Sequence, residues 1–327
     1  MSNEKEFLKQ AFASGSIFTG FVEDPPDKRD YKFSDLMKKQ GMTKTVKRKV
    51  KKITRLPGGI YRKAGCDKVV KTVTISEEVP TKLLRNIPSQ VDHSTNMSRV
   101  KDQGRLGSCV GFAAVAMKEC QEQQEHKSEV LAGKKDHRKG KIYDYSEQWV
   151  YRNCKKIDGY NGQGTYLRCA MKVLKNIGVP TEKGWPYTDD DINIGEPKGW
   201  ANLVSRWAII DSYWSISSLL ELKVALVDSP VMIGVPVFEE WRNPPNGVIS
   251  YPRNPDRVLG GHAICAVAFS DKSQLVKFKN SWGSSWGESG YGYLSYSYIN
   301  DFLWSAWVAK DISVTRDMLK GTRELTV

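Results

Sequence analysis

Gln103-Gly-Arg-Leu-Gly-Ser-Cys109 sets a side-chain amide six residues before a thiol that opens an apolar, alanine-rich run. A helix starting at that thiol puts its positive end beside the sulfur and favours thiolate. The Gln103 amide and the Cys109 backbone N–H then read as oxyanion donors, and Cys109 as a nucleophile. A lone cysteine at a helix start is more often an inert buried thiol, so this reading needs partners. They stand far downstream, in Gly260-Gly-His262-Ala-Ile and in Asn280-Ser-Trp282-Gly-Ser-Ser-Trp286-Gly.

His262 sits in an apolar run that reads as a strand, and an imidazole facing Cys109 would hold the ion pair and then protonate a departing amine. Asn280 is placed to accept from that imidazole and fix its tautomer, with Trp282 screening the bond from water. The alternatives are ordinary: a satisfied core histidine, a turn asparagine, a core tryptophan. The other histidines, His93, His126 and His137, lie in weakly patterned or charged contexts. The six cysteines, Cys66, Cys109, Cys120, Cys154, Cys169 and Cys265, form no CxxC and no metal-type cluster. No metal and no cofactor is expected.

These blocks, in this order, resemble the papain (cathepsin-like) family of cysteine peptidases. The likeness covers roughly Ile87 to Trp307. Besides Gln103 to Cys109 it rests on Tyr145-Ser-Glu-Gln148, Gly164-Thr-Tyr166 leading a helix to Gly178, Gly261-His262-Ala, and Lys279-Asn-Ser-Trp-Gly-Ser-Ser-Trp-Gly-Glu-Ser-Gly-Tyr291. The last is the most specific. Cys109 and His262 are 153 residues apart, near the spacing of about 130 to 150 typical of such enzymes.

The resemblance implies an α+β, two-lobed papain-like fold with a helical first lobe, a β-barrel-like second lobe and the active site in the cleft between them. It implies a metal-free peptidase acting on peptide or protein substrates, with catalytic roles for Cys109, His262, Asn280 and Gln103. By position it places Gly164, Thr165, Tyr166, Gly234, Gly260, Gly261 and Trp282 along the substrate. The glycines suggest a roomy pocket for a bulky apolar side chain. Two departures stand out: Leu106 replaces the family's disulfide cysteine, and Val110 replaces an aromatic residue.

The expected organisation is a basic extension over 1–86 and a peptidase domain over 87–327, with a helical lobe at about 95–206 and a β-rich lobe at about 207–316. Residues 1–86 hold 20 Lys/Arg against 10 Asp/Glu, whereas the remainder holds 30 against 27. Such asymmetry marks a segment that meets an anionic partner, an acidic face of its own protein, or only solvent. Residues 1 to about 42 read as a loosely structured arm. Thr43 to Arg55, with Val46, Val50 and Ile53 at helical spacing, reads either as an amphipathic helix or as a solvated basic segment. Val69 to Ile75 reads as a strand.

Helices are expected at Ser108 to about Gln124, from near Tyr145, and at Tyr166 to Asn176. His126 to Lys141 reads as a surface insertion. Strands are expected at Val231–Val237, Ala263–Phe269, Leu275–Phe278 and Tyr291–Tyr296. No run approaches the length of about 20 apolar residues that spans a bilayer. The N-terminus is a poor secretory signal, so the chain is expected in the cytoplasm or released without a signal peptide.

The first 86 residues stand where the family carries its inhibitory propeptide but lack the usual pro-region pattern. The expectation is an atypical extension that docks on the cleft and is removed near Arg85 to Ser89. Two alternatives remain open: an acyl transferase or ligase using the same residues, and a polyanion- or surface-binding protein using the basic arm.

Overall fold

The computed structural model describes residues 19–55, 68–80, 87–133, 135–136 and 142–311. Expectations for Cys66, His137, Arg85 and the stretch beyond Asp311 fall outside the described residues. The chain divides into a small unit, Ser34–Ile87, and a larger one that joins the described residues up to Phe33 with those from Pro88 onward.

A short helix, α1 (Phe33–Lys39), stands where the sequence suggested only a loose arm; Asp35 in its first turn and Lys38 and Lys39 in its last suit the helix dipole. The small unit then forms an antiparallel hairpin of β1 (Thr43–Arg55) and β2 (Lys68–Pro80). Its register runs from Thr43↔Pro80 to Arg55↔Lys68. The helical reading of Thr43 to Arg55 is therefore corrected. Its apolar spacing fits a helix, but Val46, Val50, Ile53 and the threonines are β-branched, and β2 offers an equally β-branched partner. The strand expected at Val69 to Ile75 lies inside β2.

In the larger unit the elements are β3 (Gln90–Asp92), α2 (Cys109–Leu131), α3 (Glu147–Ile157), α4 (Leu167–Asn176), α5 (Ala201–Ser205), β4 (Ile210–Ser215), α6 (Leu219–Asp228), β5 (Val231–Val237), β6 (Gly260–Ser270), β7 (Leu275–Lys279), β8 (Tyr291–Ser295), α7 (Tyr296–Phe302) and β9 (Ser305–Asp311). Helices dominate the first half and strands the second, the α+β arrangement expected. The helices α6 and α7 interrupt a region that reads as strands alone.

From Cys109 to Cys120 every residue of α2 is buried, apolar or small up to Met117 and then including Lys118 and Glu119. Gly111 lets α3 come close, since a Cβ there would lie 2.9 Å from the Glu147 carbonyl oxygen. The helix continues past Gln124 to Leu131 before Gly133 turns the chain at φ 89°, so the start of the supposed insertion is helical. Its Glu, Gln and Lys residues are good helix formers. α3 is capped by Ser146, whose hydroxyl accepts from Trp149 N.

The strands form one antiparallel sheet in the order β4-β9-β5-β6-β7-β8, with β3 pairing β6 beyond the point where β5 ends. All seven residues of β5 are buried. α2 packs against β6, and one apolar core runs from Val110, Ala114 and Leu167 to Met232, Cys265 and Trp307. That junction carries Cys109 on the helix side and His262 on the sheet side.

The arm, Thr19 to Lys32, lies against this body. Phe21 bridges Thr165, and Lys32 bridges Ser215 on the outer strand β4. Asp24 spans both halves: one carboxylate oxygen accepts from Arg168 N in the first turn of α4, the other from Ser305 Oγ and Trp307 Nε1 at β9. It supplies the end-cap that Tyr166 does not give α4. Asp30 pairs with Arg168 at 2.5 Å.

Candidate active site

Cys109 is the first residue of α2 and is fully buried. The backbone N–H of Ala263 reaches its sulfur at 3.4 Å, which sets the thiol beside the His262–Ala263 peptide. His262 lies in β6 opposite Val235. Its Nε2 donates to Asn280 Oδ1 at 2.7 Å, and Ser281 N donates to the same oxygen at 2.8 Å. That oxygen accepts, so Nε2 carries the proton and Nδ1 holds the lone pair. Nδ1 is buried without a hydrogen-bond partner.

Trp282 stacks on the imidazole, with ring centres 4.5 Å apart and planes at 23°. Trp241 meets the ring edge-on at 6.0 Å, and Trp286 in turn donates its indole N–H to Trp241 O. This aromatic shell keeps water from the His262–Asn280 bond. Lys279, next to Asn280, is also buried; it donates to Ser98 Oγ, which donates to Glu119.

Gln103 is fully buried and held from several sides. Its N–H donates to Ser281 O at 2.8 Å, Oε1 accepts from Ser281 Oγ at 2.6 Å, and Nε2 donates to Leu106 O at 2.9 Å. Ser281 therefore links the amide on one half to the asparagine on the other.

Gly20, Phe21 and Val22 of the arm cover the thiol. The Gly20 backbone lies close enough to the Cys109 sulfur to favour its thiolate. Gly20 O accepts from Thr165 N at 2.8 Å, Val22 N donates to Thr165 O at 3.0 Å, and Phe21 N donates to Gly261 O at 3.2 Å. The Phe21 side chain is 5% exposed. It fills space left by glycines: a Cβ on Gly234 would lie 2.3 Å from its ring, and one on Gly261 would lie 2.5 Å from its carbonyl oxygen. Gly260 likewise leaves room for Thr19, and Gly164 for the Gly20 carbonyl.

Burial dominates the electrostatics of this covered site. It pushes the Cys109 thiol up to about 11, against the lowering effect of the N–H groups of Ala263 and Gly20. It also holds the His262 imidazole down at about 4, although the bond to Asn280 pulls the other way. Thiol and imidazole are therefore both neutral here, contrary to the ion pair that the helix dipole suggested. The cost of burying charge outweighs the dipole.

The structure thus gathers Gln103, Cys109, His262 and Asn280 in one place, and sets Gly164, Thr165, Gly234, Gly260 and Gly261 along the arm. Trp282 lies flat on the imidazole, in the screening position. Tyr166 is half-buried, its ring edge-on to Tyr160 at 6.3 Å. Sequence reasoning missed Phe21, Asp24, Tyr187, Trp241 and Ser281. Only Ser281, inside the Asn-Ser-Trp block, had a local signal. Among the described residues there is no group of His, Cys, Asp and Glu that could hold a metal ion, and no helix long and apolar enough to cross a membrane.

Comparison with known proteins agrees with this geometry. Residues 87–302 match the model of the papain family of cysteine proteases. An uncharacterized peptidase C1-like protein of Acanthamoeba polyphaga mimivirus is 26% identical over 249 residues, covering 72% of this chain and 76% of that protein. A cathepsin L-like proteinase of Fasciola hepatica is 27% identical over 217 residues, and the chain spans 60% of its length. Among solved structures, xylellain, a cysteine protease from Xylella fastidiosa, shares the fold with a TM-score of 0.65 at 24% identity, covering 90% of this chain and 96% of that one. The chain belongs to the papain family of cysteine proteases, a family of thiol hydrolases.

Proposed function

We propose that the chain hydrolyses peptide bonds through an acyl-enzyme on Cys109 and is made with its own residues 19–24 blocking the site. His262 takes the thiol proton on Nδ1 and returns it to the leaving amine; the acyl-enzyme then forms and is resolved by water. Asn280 holds the imidazole, while Gln103 Nε2 and the Cys109 N–H face the oxyanion. The observation that carries this reading is the buried His262–Asn280 bond at 2.7 Å, which leaves Nδ1 without a partner on the residue whose peptide with Ala263 neighbours the thiol.

Two features support the self-block. Phe21 occupies the glycine-walled pocket where a substrate side chain would sit. Gly20 lies at the sulfur, and its carbonyl accepts from Thr165 N at 2.8 Å instead of from the oxyanion donors. A carbonyl held away from those donors is not presented for attack, so the arm blocks without being cut at the Gly20–Phe21 bond.

The test compares wild type with Cys109→Ala by intact mass over time, with and without a thiol-directed epoxide such as E-64. Self-trimming that needs Cys109, followed by one epoxide adduct per chain, is the expected result. A Cys109→Ala chain that trims and cleaves as wild type does would overturn the assignment. Full activity in the untrimmed chain would remove the self-block alone. Added amine nucleophiles should leave hydrolysis the main product; dominant amine adducts would turn the reading to acyl transfer.

A further inference from the structure

The loop from Gln103 to Ser108 carries the oxyanion amide at one end and leads into the nucleophile at the other. It contains Gly104, with φ at 57°, and Gly107. Two glycines loosen the loop, and within it Leu106 O accepts from Gln103 Nε2 at 2.9 Å and from Ser108 N at 2.8 Å. A further brace comes from elsewhere in the chain. Tyr187 Oη donates to Gln103 O at 2.7 Å and shares a hydrogen bond with Ser108 Oγ at 2.6 Å. A phenol has one proton. With that proton on Gln103 O, the Ser108 hydroxyl must donate to Oη, giving a chain from Ser108 through Tyr187 to Gln103.

The tyrosine is itself fixed. Its N–H donates to Glu182 Oε1 at 2.7 Å, and its ring stands edge-on to Phe112, in the first turn of α2, at 4.7 Å. Two residues on, Asp189 accepts from Arg105 N at 3.1 Å in the middle of the same loop. Burial pushes the phenol up, so it keeps its proton. Ser108, although it stands at the N-cap of α2, makes no side-chain cap to that helix; its hydroxyl serves Tyr187 instead.

We propose that Tyr187 is a positioning residue of the oxyanion site, tying Gln103 and Ser108 through one hydroxyl so that the amide and the Cys109 N–H stay aimed at the same point. It touches neither substrate nor thiol. The inference rests on the reading of Gln103 as an oxyanion donor. Misplacing a donor by about 1 Å costs up to about 100-fold, so loss of the hydroxyl should cost roughly 10-fold or more in kcat.

The experiment measures kcat and KM on a small fluorogenic peptide amide for full-length preparations after the same activating incubation, with sites counted by epoxide titration. The variants are Tyr187→Phe, Ser108→Ala, Gln103→Ala and the two doubles with Gln103→Ala. The expected result is that Tyr187→Phe lowers kcat about 10-fold or more with KM within about 2-fold, and costs less than about 3-fold once Gln103 is already alanine. Unchanged kcat in Tyr187→Phe, a rise in KM alone, or the same loss in both backgrounds would overturn it. Should Tyr187→Phe not fold, Ser108→Ala decides by the same comparison, with a smaller loss expected. Full kcat in Gln103→Ala would remove the oxyanion reading itself and with it the purpose of the brace, whereas a loss there beside a fully active Tyr187→Phe overturns the brace only.

Discussion

Asn280 holds its imidazole with one oxygen that also accepts from the next backbone N–H, so the orientation of the ring depends on a single atom. A hydrogen bond to a group that becomes charged contributes about 1.5 to 3 kcal/mol. Asn280→Ala should therefore lower kcat/KM by about 10- to 150-fold, with kcat carrying most of the loss; steady-state kinetics on the activated enzyme checks this. The covered site also predicts a pH window. Burial keeps its imidazole neutral down to about 4, against 6.5 for an ordinary histidine. Opening favours the charged ring, so protection falls as pH drops toward 4. At the other end burial keeps the thiol protonated to about 11, against 9.0 for an ordinary cysteine, so protection falls again as pH rises toward 11. Hydrogen exchange at the Phe21 and Val22 amides, corrected for intrinsic rate, should be slowest between the two windows. In Cys109→Ser only the acid limb should remain.

At the scale of elements, the parts that sequence could place were those with a strong local signature. β5 is buried throughout and reads as a β-branched run, and α4 ends at Gly178, whose φ of 77° needs glycine. The central β6 was legible because an apolar run surrounds His262. By contrast β4, Ile-Asp-Ser-Tyr-Trp-Ser, shows no clean alternation and owes its place to β9. β1 was misread because Val46, Val50 and Ile53 carry helical spacing and only the partner strand decides, whereas β2 was legible in its own β-branched run. The same limit hid the arm: nothing local in Thr19 to Asp24 says that Gly164, Gly234 and Gly261 leave room for it. A side chain on Gly234 tests that fit. Gly234→Val would overpack β5 against Phe21, at a cost of about 1 to 3 kcal/mol. If that strain falls on the arm, labelling of Cys109 by iodoacetamide should quicken by about 5- to 150-fold, read by mass. Unchanged labelling would mean that Phe21 does not depend on the pocket.

Over the whole molecule, the four candidate catalytic residues were legible because each sits in a motif with a fixed order, while their setting was not. Asp24 shows why. Its carboxylate joins α4 to β9, accepting from Arg168 N 144 positions away and from Ser305 Oγ, at 2.6 Å, 281 positions away. Such contacts exist only once both halves have folded. Asp24→Ala should free the arm, so the full-length chain would bind epoxide faster than full-length wild type. Unchanged epoxide binding would show that Asp24 does not hold the arm in place.

The direction of Gly20 carries one more consequence, which concerns populations of molecules. On the proposed self-block the Gly20 carbonyl is held by Thr165 N, away from the oxyanion donors, so the first cuts should fall to a neighbouring copy. Tethering holds such an arm at an effective concentration in the mM range, far above any dilute copy, which makes the opening stage slow. Each freed molecule then adds to the pool that frees the next. The time course of trimming should show a lag that shortens as protein concentration rises, and seeding with a trace of trimmed protein should abolish it. A half-time independent of concentration would mean that each chain releases itself.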